Sequence, residues 1–337
     1  MKTIAHELII PKDLINRNCH ASHCLPLSDG SVFAVWFEGT KEGNDDVCIW
    51  GAKRSVDGTW SQKKQLTEDN HLPHWNPVLL QSTKDTITLY YKQGKPISNW
   101  YTMYMTSIDN GNSWSKPKEL VPGDIGGRGP VRNKAIVLSN GWILAPSSSE
   151  SSIWSMFSDL SKDNGITWTT SNKVNIFHDS EVPLTWYDKL LDNSLIRKKR
   201  GVIQPTFWES TPGHVHALLR SSEGKIYYAE SLNYGQSWNR PQKTILPNNN
   251  SGIDAVKTPN GHLYLIYNPV DKNWGKRYPI SLAISKDNGS TWNKIMDLES
   301  GSGKDELSYP CIQFQDNRLY ITYTHNRTNI SFWILTI

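Results

Sequence analysis

Short apolar runs alternate with turn-forming residues along the whole chain, and this pattern predicts β-strands. Val, Ile, Phe, Trp and Tyr are frequent in the runs, while Gly, Pro, Asn and Asp fill the intervals between them. Apolar residues at helical spacing are weakly represented everywhere, so no long helix is predicted. The pattern favours an all-β fold, and the 15 Trp and 14 Tyr residues agree with it.

One turn sequence recurs along the chain, and its spacing predicts the architecture. The copies are SIDNGNSW (107–114), SKDNGITW (161–168), SLNYGQSW (231–238), SKDNGSTW (285–292) and a shortened SVDGTW (55–60). Their closing tryptophans are 54, 54, 70 and 54 residues apart, so one interval carries an insertion. In this unit Asp accepts backbone N–H bonds and Gly supplies a positive φ, which is the chemistry of a hairpin turn rather than of catalysis.

An interval of 54 residues accommodates four antiparallel strands, and 337 residues then give six such units. The sequence therefore predicts a six-bladed β-propeller with four-stranded blades, formed by residues 1–337 as a single domain. KTIAHELII (2–10) and NISFWILTI (329–337) can pair as outer strands of the sixth blade. That pairing would close the ring and protect both edges.

Polar residues cluster where the first two strands of each predicted blade meet the central channel. First strands begin with clusters such as HAS (20–22), RNK (132–134), QPT (204–206) and SYP (308–310). A buried polar ring is costly unless it is paired internally or meets a ligand, and both interpretations stay open. The candidate ligand-binding residues in these clusters are Glu38, Trp75, Asn76, Lys92, Arg132, Lys134, Asp254, Asn268 and Arg327.

The repeated turns resemble the Asp-box (BNR) repeats of the sialidase superfamily, over nearly the whole chain. In retaining sialidases three arginines grip the substrate carboxylate, a Tyr with a Glu partner is the nucleophile, and an Asp is the acid/base. The resemblance implies that Arg220 and Arg277 are the second and third arginines and that Tyr309 is the nucleophile. The acid/base loop matches KEGNDDV (41–47), where Asp45 or Asp46 is expected to act and Glu42 is a further candidate.

Two positions depart from the sialidase pattern. His20 stands where the first arginine is expected, and Gln204 in IQPT stands where the Glu is expected. A neutral amide cannot take a proton from Tyr309 as a carboxylate would, so the resemblance implies a non-standard mechanism. Arg132 and Lys134 are candidates to replace the missing positive charge, and His20 is a candidate acid or base near neutral pH.

The leading hypothesis is an exo-acting glycoside hydrolase that releases a terminal acidic sugar, with sialic acid first among the candidates. The alternatives are a uronate lyase, with His20 and Tyr309 as base and acid, and a non-catalytic carbohydrate-binding propeller. A net charge of +4 is too modest to indicate a nucleic-acid partner. No cofactor, metal or membrane partner is predicted, and the oligomeric state stays open.

The first residues lack an apolar signal region, so the sequence as written predicts a cytoplasmic protein, or a secreted one if a signal was trimmed. Residues 19–24, CHASHC, contain four possible metal ligands. On a regular strand alternate side chains face opposite sides, which would divide those ligands between two faces. The sequence therefore predicts packing cysteines rather than a zinc site, with His20 facing the channel.

Overall fold

The computed structural model describes residues 1–11, 17–83, 85–151, 153–177 and 200–337. Within these residues the strands form four four-stranded sheets and one eight-stranded sheet. Strand pairing is antiparallel except where the strand Ile153–Ser161 meets the strand Arg200–Thr211 in the eight-stranded sheet. An all-β fold of mostly four-stranded antiparallel sheets is thus confirmed.

We number the strand units I to VI along the chain. Unit I contains β2 (Asn18–Pro26), β3 (Val32–Gly39), β4 (Cys48–Arg54) and β5 (Lys64–Gln65). Unit II contains β6 (His74–Thr83), β7 (Thr86–Gln93), β8 (Tyr101–Ser107) and β9 (Lys118–Glu119), with a 3-10 turn at Ile97–Asn99. Unit III contains β10 (Ile136–Val137), β11 (Ile143–Glu150), β12 (Ile153–Ser161) and β13 (Thr169–Thr170).

The other units are built in the same way, and units III and IV together make the eight-stranded sheet. Unit IV contains β14 (Arg200–Thr211), β15 (His214–Ser221), β16 (Lys225–Ser231) and β17 (Gln242–Pro247). Unit V contains β18 (Asp254–Lys257), β19 (Leu263–Tyr267), β20 (Ile280–Ser285) and β21 (Asn293–Glu299). Unit VI contains β22 (Leu307–Gln315), β23 (Arg318–His325), β24 (Asn329–Thr336) and β1 (Lys2–Leu8).

The terminal strands pair as the sequence predicts. β1 runs antiparallel to β24, with Lys2 opposite Thr336 and Leu8 opposite Ser331. First strands of successive units also pack on one another, since β2 contacts both β6 and β22, and β18 contacts both β14 and β22. Within the described residues no helix has the length and apolar character needed to cross a bilayer.

The repeated turns connect the third and fourth strands of units I to V, as expected for structural hairpins. In the turn after β8, Asp109 Oδ1 accepts the backbone N–H of Ser113 at 2.9 Å, and Gly111 N–H donates to Ser107 Oγ at 2.9 Å. Hydrogen bonds from Ser113 lower the pKa of Asp109 to about 2. The carboxylate is therefore ionised at neutral pH and fully engaged in holding the turn.

A bulge interrupts the first strand of four units at the polar cluster. The pairing register shifts between His20 and His23, Trp75 and Val78, Ile203 and Thr206, and Ser308 and Cys311. Each bulge contains one non-glycine residue with a positive φ: Ala21 (53°), Asn76 (45°), Gln204 (53°) and Tyr309 (54°). Such conformations cost on the order of 1 kcal/mol each and often mark functional sites.

The bulge at Ala21 corrects the expected alternation of CHASHC. Cys19 and Cys24, which regular alternation places on opposite faces, pack in the same hydrophobic cluster. Ala21 packs in a different cluster. The extra residue in the bulge changes the direction of the side chains that follow it, so strict alternation fails here.

Candidate active site

Three guanidinium groups converge on the ring of Tyr309. The Cζ atoms of Arg132, Arg220 and Arg277 lie 5.2, 5.5 and 5.6 Å from its centroid. Like charges so close together repel each other unless an anion or an electron-rich ring offsets them. Tyr309 is partly exposed, so the cluster forms a cationic centre that is open to solvent at the tyrosine.

Arg220 is the hub of a hydrogen-bond network around the tyrosine. Its Nη1 donates to Tyr309 Oη at 2.6 Å and to Gln204 Oε1 at 3.0 Å, while its Nε donates to Asn250 Oδ1 at 2.8 Å. Gln204 Nε2 in turn donates to Glu150 Oε1 at 3.0 Å. The carboxylate of Glu150 therefore belongs to this network. It is one hydrogen bond away from Gln204, the position where the sialidase pattern places its Glu.

Arg132 is buried beneath Tyr309. Its Nη2 donates to the carbonyl of Pro310 at 2.5 Å and its Nη1 to Asn133 Oδ1 at 3.1 Å, whereas its Nε has no hydrogen-bond partner in the described part of the chain. Burial lowers the pKa of this guanidinium from its usual value. A buried cation held mainly by neutral oxygens contributes positive potential at Tyr309.

Glu306 joins Arg277 to a fourth arginine, Arg327, at the edge of the cluster. Its Oε1 accepts Arg277 Nη1 at 2.6 Å, its Oε2 accepts Arg327 Nε at 3.0 Å, and Ser308 Oγ donates to Oε1 at 2.8 Å. Burial alone would raise the pKa of Glu306, but Arg277 and Arg327 hold it below its usual value. The sequence analysis did not single out Glu306, although its position three residues before Tyr309 places it close to the candidate site.

His20 lies against Tyr309, with the ring centroids 4.2 Å apart, and its Nε2 is 3.5 Å from Arg327 Nη2. The imidazole is only 1% exposed. Burial first, and then the nearby arginines, lower its pKa well below the usual value. A buried neutral imidazole is poorly suited to donate a proton to a substrate, so the expected role as proton donor lacks physical support.

Buried neutral histidines make stability depend on pH, and His74 gives the clearest case. Burial lowers its pKa from 6.5 to about 4. Below about pH 6.5 the unfolded chain binds a proton at His74 that the native state does not bind. The contribution of neutral His74 to the free energy of unfolding is therefore complete above that pH and is lost as the pH falls. We expect the His74 contribution to fall by about 3 kcal/mol between about pH 7 and about pH 4.

Urea unfolding of wild type and His74→Gln at both pH values measures this change. The variant should lose less stability on acidification than wild type does. Equal losses in the two proteins would show that His74 is protonated in the native state at the lower pH.

Loop 41–47 contacts the cluster, but the contact is not made by Asp45 or Asp46, the two residues preferred from sequence. Asp46 accepts hydrogen bonds from Thr40 and pairs with Arg17, and Asp45 pairs with Lys95 at 3.2 Å. Burial would raise the pKa of Asp46, but the Thr40 hydrogen bonds and Arg17 keep it below its usual value, which is unfavourable for a proton donor. Glu42 instead forms an ion pair with Arg327 and so contacts the cluster.

Several other sequence candidates are bonded within the protein rather than grouped around Tyr309. Lys92 donates to Thr102 Oγ1 and to the carbonyl of Arg128, and Glu38 accepts from Trp36 and Lys63. Asn268 donates to the carbonyls of Pro279 and Leu307, and Trp75 donates to that of Gly94. Asn76 occupies the bulge of β6 and is nearly buried. Most of these side chains therefore make their hydrogen bonds within the protein.

Lys134 and Asp254 form a buried ion pair that ties units together. Lys134 Nζ lies 2.8 and 2.7 Å from the Asp254 oxygens, which also accept from Thr206 Oγ1 at 2.8 Å and from Ile312 N at 2.9 Å. The side chains are 9% and 0% exposed. This geometry gives the pair a structural role, in contrast to the substrate contact predicted from sequence.

Removing the Lys134 charge is expected to destabilise the fold. Lys134→Met leaves the Asp254 carboxylate buried without its cation, and we expect a loss of about 3 kcal/mol in the free energy of unfolding. Lys294→Met, which breaks the exposed pair with Asp297, is the matched control and should cost less than about 1 kcal/mol. Urea denaturation measures both, and equal small losses would contradict a structural role for Lys134.

The contact between Gln204 and Glu150 predicts the outcome of restoring the sialidase-type carboxylate. Gln204→Glu alone places two carboxylates at a hydrogen-bonding distance, which should cost about 1–2 kcal/mol of stability even with Arg220 nearby. The double variant Gln204→Glu/Glu150→Gln keeps one amide and one carboxylate and should recover most of that loss. Thermal unfolding compares the two, and a single variant as stable as the double variant would disprove the repulsion.

A cleft of about 830 Å³ lies elsewhere, between units I and II, and is lined by residues such as Leu66, His74 and Trp114. Among the described residues that line it there is no arginine. Its size alone does not make it the functional site, because the convergent charged groups lie around Tyr309.

The repeated turns and the four-stranded sheets are those of an Asp-box fold of the sialidase superfamily. The family of the BNR repeat-like domain matches residues 30–321, and the chain belongs to that family. A curated sialidase of Paraclostridium sordellii is 26% identical over 92% of this chain and 82% of its own length.

Solved structures show the same fold. A Dyadobacter fermentans protein of unknown function has a TM-score of 0.77 at 18% identity, over 100% of this chain and 99% of that one. The Trypanosoma rangeli sialidase in complex with the inhibitor DANA has a TM-score of 0.71 at 13% identity, over 99% of this chain and 58% of that one. The NanB sialidase of Streptococcus pneumoniae has a TM-score of 0.72 at 12% identity, over 98% and 70% of the two chains.

Proposed function

We propose that residues 1–337 form a single six-bladed propeller domain and that the cluster around Tyr309 is its active site. Units I to VI are the six blades, and the β1–β24 pairing closes the ring. The contacts of β2 with β6 and β22, and of β18 with β14 and β22, support an arrangement of first strands around one axis. Polar clusters of separate blades would then meet at one end of that axis, as they do at Tyr309.

The function we propose is hydrolysis of a terminal acidic sugar, sialic acid first among the candidates, from a glycan. The observation that carries it is the convergence of Arg132, Arg220 and Arg277 within 5.6 Å of the ring of Tyr309. Guanidinium groups bind carboxylates through paired, charge-assisted hydrogen bonds. A substrate carboxylate would neutralise this cationic centre and would bring the adjacent anomeric carbon towards the tyrosine.

In this reaction the bond between the anomeric carbon and the aglycone oxygen breaks, that oxygen takes a proton, and water supplies the hydroxyl group of the released sugar. Arg220 Nη1, 2.6 Å from Tyr309 Oη, orients the phenol so that its oxygen lone pairs stabilise the positive charge of the oxocarbenium-like centre while water attacks the anomeric carbon. The proton comes from a carboxyl group of loop 41–47. Glu42 is the carboxyl group of that loop that contacts the cluster, through Arg327. To donate, it leaves this ion pair and is protonated, and it recovers the proton from the attacking water.

An exposed tryptophan at the mouth of the site fits a sugar ligand. Trp274 is 62% exposed, and its ring lies 6.0 Å from the guanidinium of Arg220. Large exposed aromatic rings offer an apolar surface on which a sugar ring can pack. The exposed ring therefore supports a saccharide rather than a small inorganic anion as the ligand.

Product analysis distinguishes the hydrolase from the alternatives. Purified protein is incubated with sialylated and with uronate-terminated oligosaccharides, and the products are followed by NMR. Free sialic acid is the expected product. An unsaturated uronate would instead identify a lyase, although the burial of His20 disfavours that imidazole as the base. Binding without turnover would identify a carbohydrate-binding protein. Either result would contradict the proposal.

A further inference from the structure

A second cluster of chemically active side chains lies on unit IV, away from Tyr309. His214 and His216 are on β15, two residues apart, and Glu230 is on β16 directly opposite His216. One ligand atom from each of the three lies within 4.8 Å of the others. We propose that this cluster is a binding site for a divalent transition metal ion, with Zn²⁺ as the ion it suits best.

The donor set matches zinc chemistry. Two imidazoles and one carboxylate are the ligands of many zinc sites, with the fourth position left to water or another oxygen donor. His214 Nε2 already lies 2.9 Å from Glu230 Oε2, and the two imidazole rings are 4.1 Å apart. Tyr228 Oη lies 2.6 Å from His216 Nδ1 and 3.1 Å from Glu230 Oε2, which adds an oxygen atom on the same side.

His216 turns its Nδ1 towards the cluster, where it lies 2.6 Å from Tyr228 Oη. Its other nitrogen, Nε2, lies 2.7 Å from Ser210 Oγ, and that hydroxyl is also 3.4 Å from the carbonyl of His214. Asn288 Nδ2 lies 3.2 Å from the same Nε2 and, with its Oδ1 held by the Trp208 indole, donates to it, so without an ion Nδ1 carries the proton and donates to Tyr228 Oη. Coordination through Nδ1 would move the proton to Nε2, where Ser210 Oγ is the hydrogen-bond acceptor that metal-bound histidines commonly have on the second nitrogen.

Packing holds His216 in this orientation. Trp208 stacks on its ring, with centroids 5.1 Å apart and planes at 13°, and the Trp208 indole donates to Asn288 Oδ1 at 2.8 Å. The His216 side chain is itself buried. His214 and Glu230 are 33% and 35% exposed, which gives an ion a path of entry from solvent.

The position of the cluster indicates a structural rather than a catalytic ion. His214 begins β15 and Arg220 lies near its end, which separates them by roughly 20 Å along an extended strand. A bound ion would join β15 to β16 and, through Asn288, support the repeated turn of unit V. The inference is therefore independent of the proposed hydrolysis.

Zinc binding is measured on the full chain freed of metal with a chelator, by titration calorimetry and by the absorbance of bound Co²⁺. Wild type should bind one ion per chain with a four- or five-coordinate Co²⁺ spectrum, and its melting temperature should rise with zinc. His214→Ala and Glu230→Gln alter partly exposed side chains and should each weaken binding by at least about tenfold, as should Ser210→Ala to a smaller extent. His71→Ala, at a histidine whose side chain is 91% exposed, should leave binding unchanged.

Circular dichroism of each variant separates loss of the site from loss of the fold. Wild type that binds no zinc, or zinc binding that His214→Ala and Glu230→Gln leave at the wild-type affinity, would overturn the proposal. The second result would mean that the ion binds at other surface histidines.

Discussion

Arg220→Ala is expected to lower kcat/KM for a terminal sialoside by about 10³-fold, which corresponds to ~4 kcal/mol of lost transition-state stabilisation. The substitution removes a guanidinium that contacts Tyr309, Gln204 and Asn250 and that faces the expected position of the substrate carboxylate. Steady-state hydrolysis of a fluorogenic sialoside measures the loss.

Two further variants show whether the geometry or only the charge of Arg220 matters. Arg220→Lys retains a cation but cannot form the paired contacts of a guanidinium, so it should recover only a small part of the activity. Arg318→Ala removes an exposed arginine at the far end of β23 and should keep wild-type activity. Arg220→Lys with wild-type kcat/KM would contradict a specific grip on the carboxylate.

Tyr309→Phe is expected to lower kcat by about 10³-fold with a smaller change in KM. The variant keeps the ring that packs on His20 and lies among the three guanidiniums, but it removes the oxygen that accepts from Arg220. Because the ring remains, the fold and the carboxylate grip should survive while the reacting oxygen is lost.

Tyr104→Phe, on β8 of unit II, is the matched control and should retain full activity. Single-turnover measurements with saturating substrate separate the chemical step from binding. If Tyr309→Phe instead raised KM and left kcat unchanged, the hydroxyl would bind the ground state and would not take part in the reaction.

The fold was predictable because its signal is local and repeated. Each Asp-box turn carries its own hydrogen-bonding residues, such as Asp109 with Ser113 and Gly111, so its sequence reports its conformation directly. The spacing of the closing tryptophans then set the number of strands per unit. Pairing of the terminal strands followed from the absence of a sixth turn.

The centre of the site was predictable only in part. The structure brings together Tyr309, Arg132, Arg220 and Arg277, which sequence spacing or family resemblance singled out. The polar rings also suggested Lys134 as a ligand contact, yet it is bonded to Asp254 within the protein. Sequence position indicates which residues share a level of the predicted channel, but burial and pairing decide which of them stay available to a ligand.

Other features depend on tertiary contacts that no local pattern records. The left-handed bulge residue at Ala21 breaks the strand alternation on which the interpretation of CHASHC relied. Glu306 becomes part of the site only through its pairs with Arg277 and Arg327. The pair His214 and His216 had a usable signal, since residues two apart on a strand share a face, but Glu230 joins them only through strand pairing.

The most direct test of the proposed active site compares wild type, Arg220→Ala and Tyr309→Phe in the release of the fluorophore from a fluorogenic α-sialoside, with circular dichroism of each protein as the check on folding. The proposed active site predicts release by wild type and, from both folded variants, rates lower by about 10³-fold. Wild type that releases no sialic acid from any sialoside, or variants that match its rate, would contradict it.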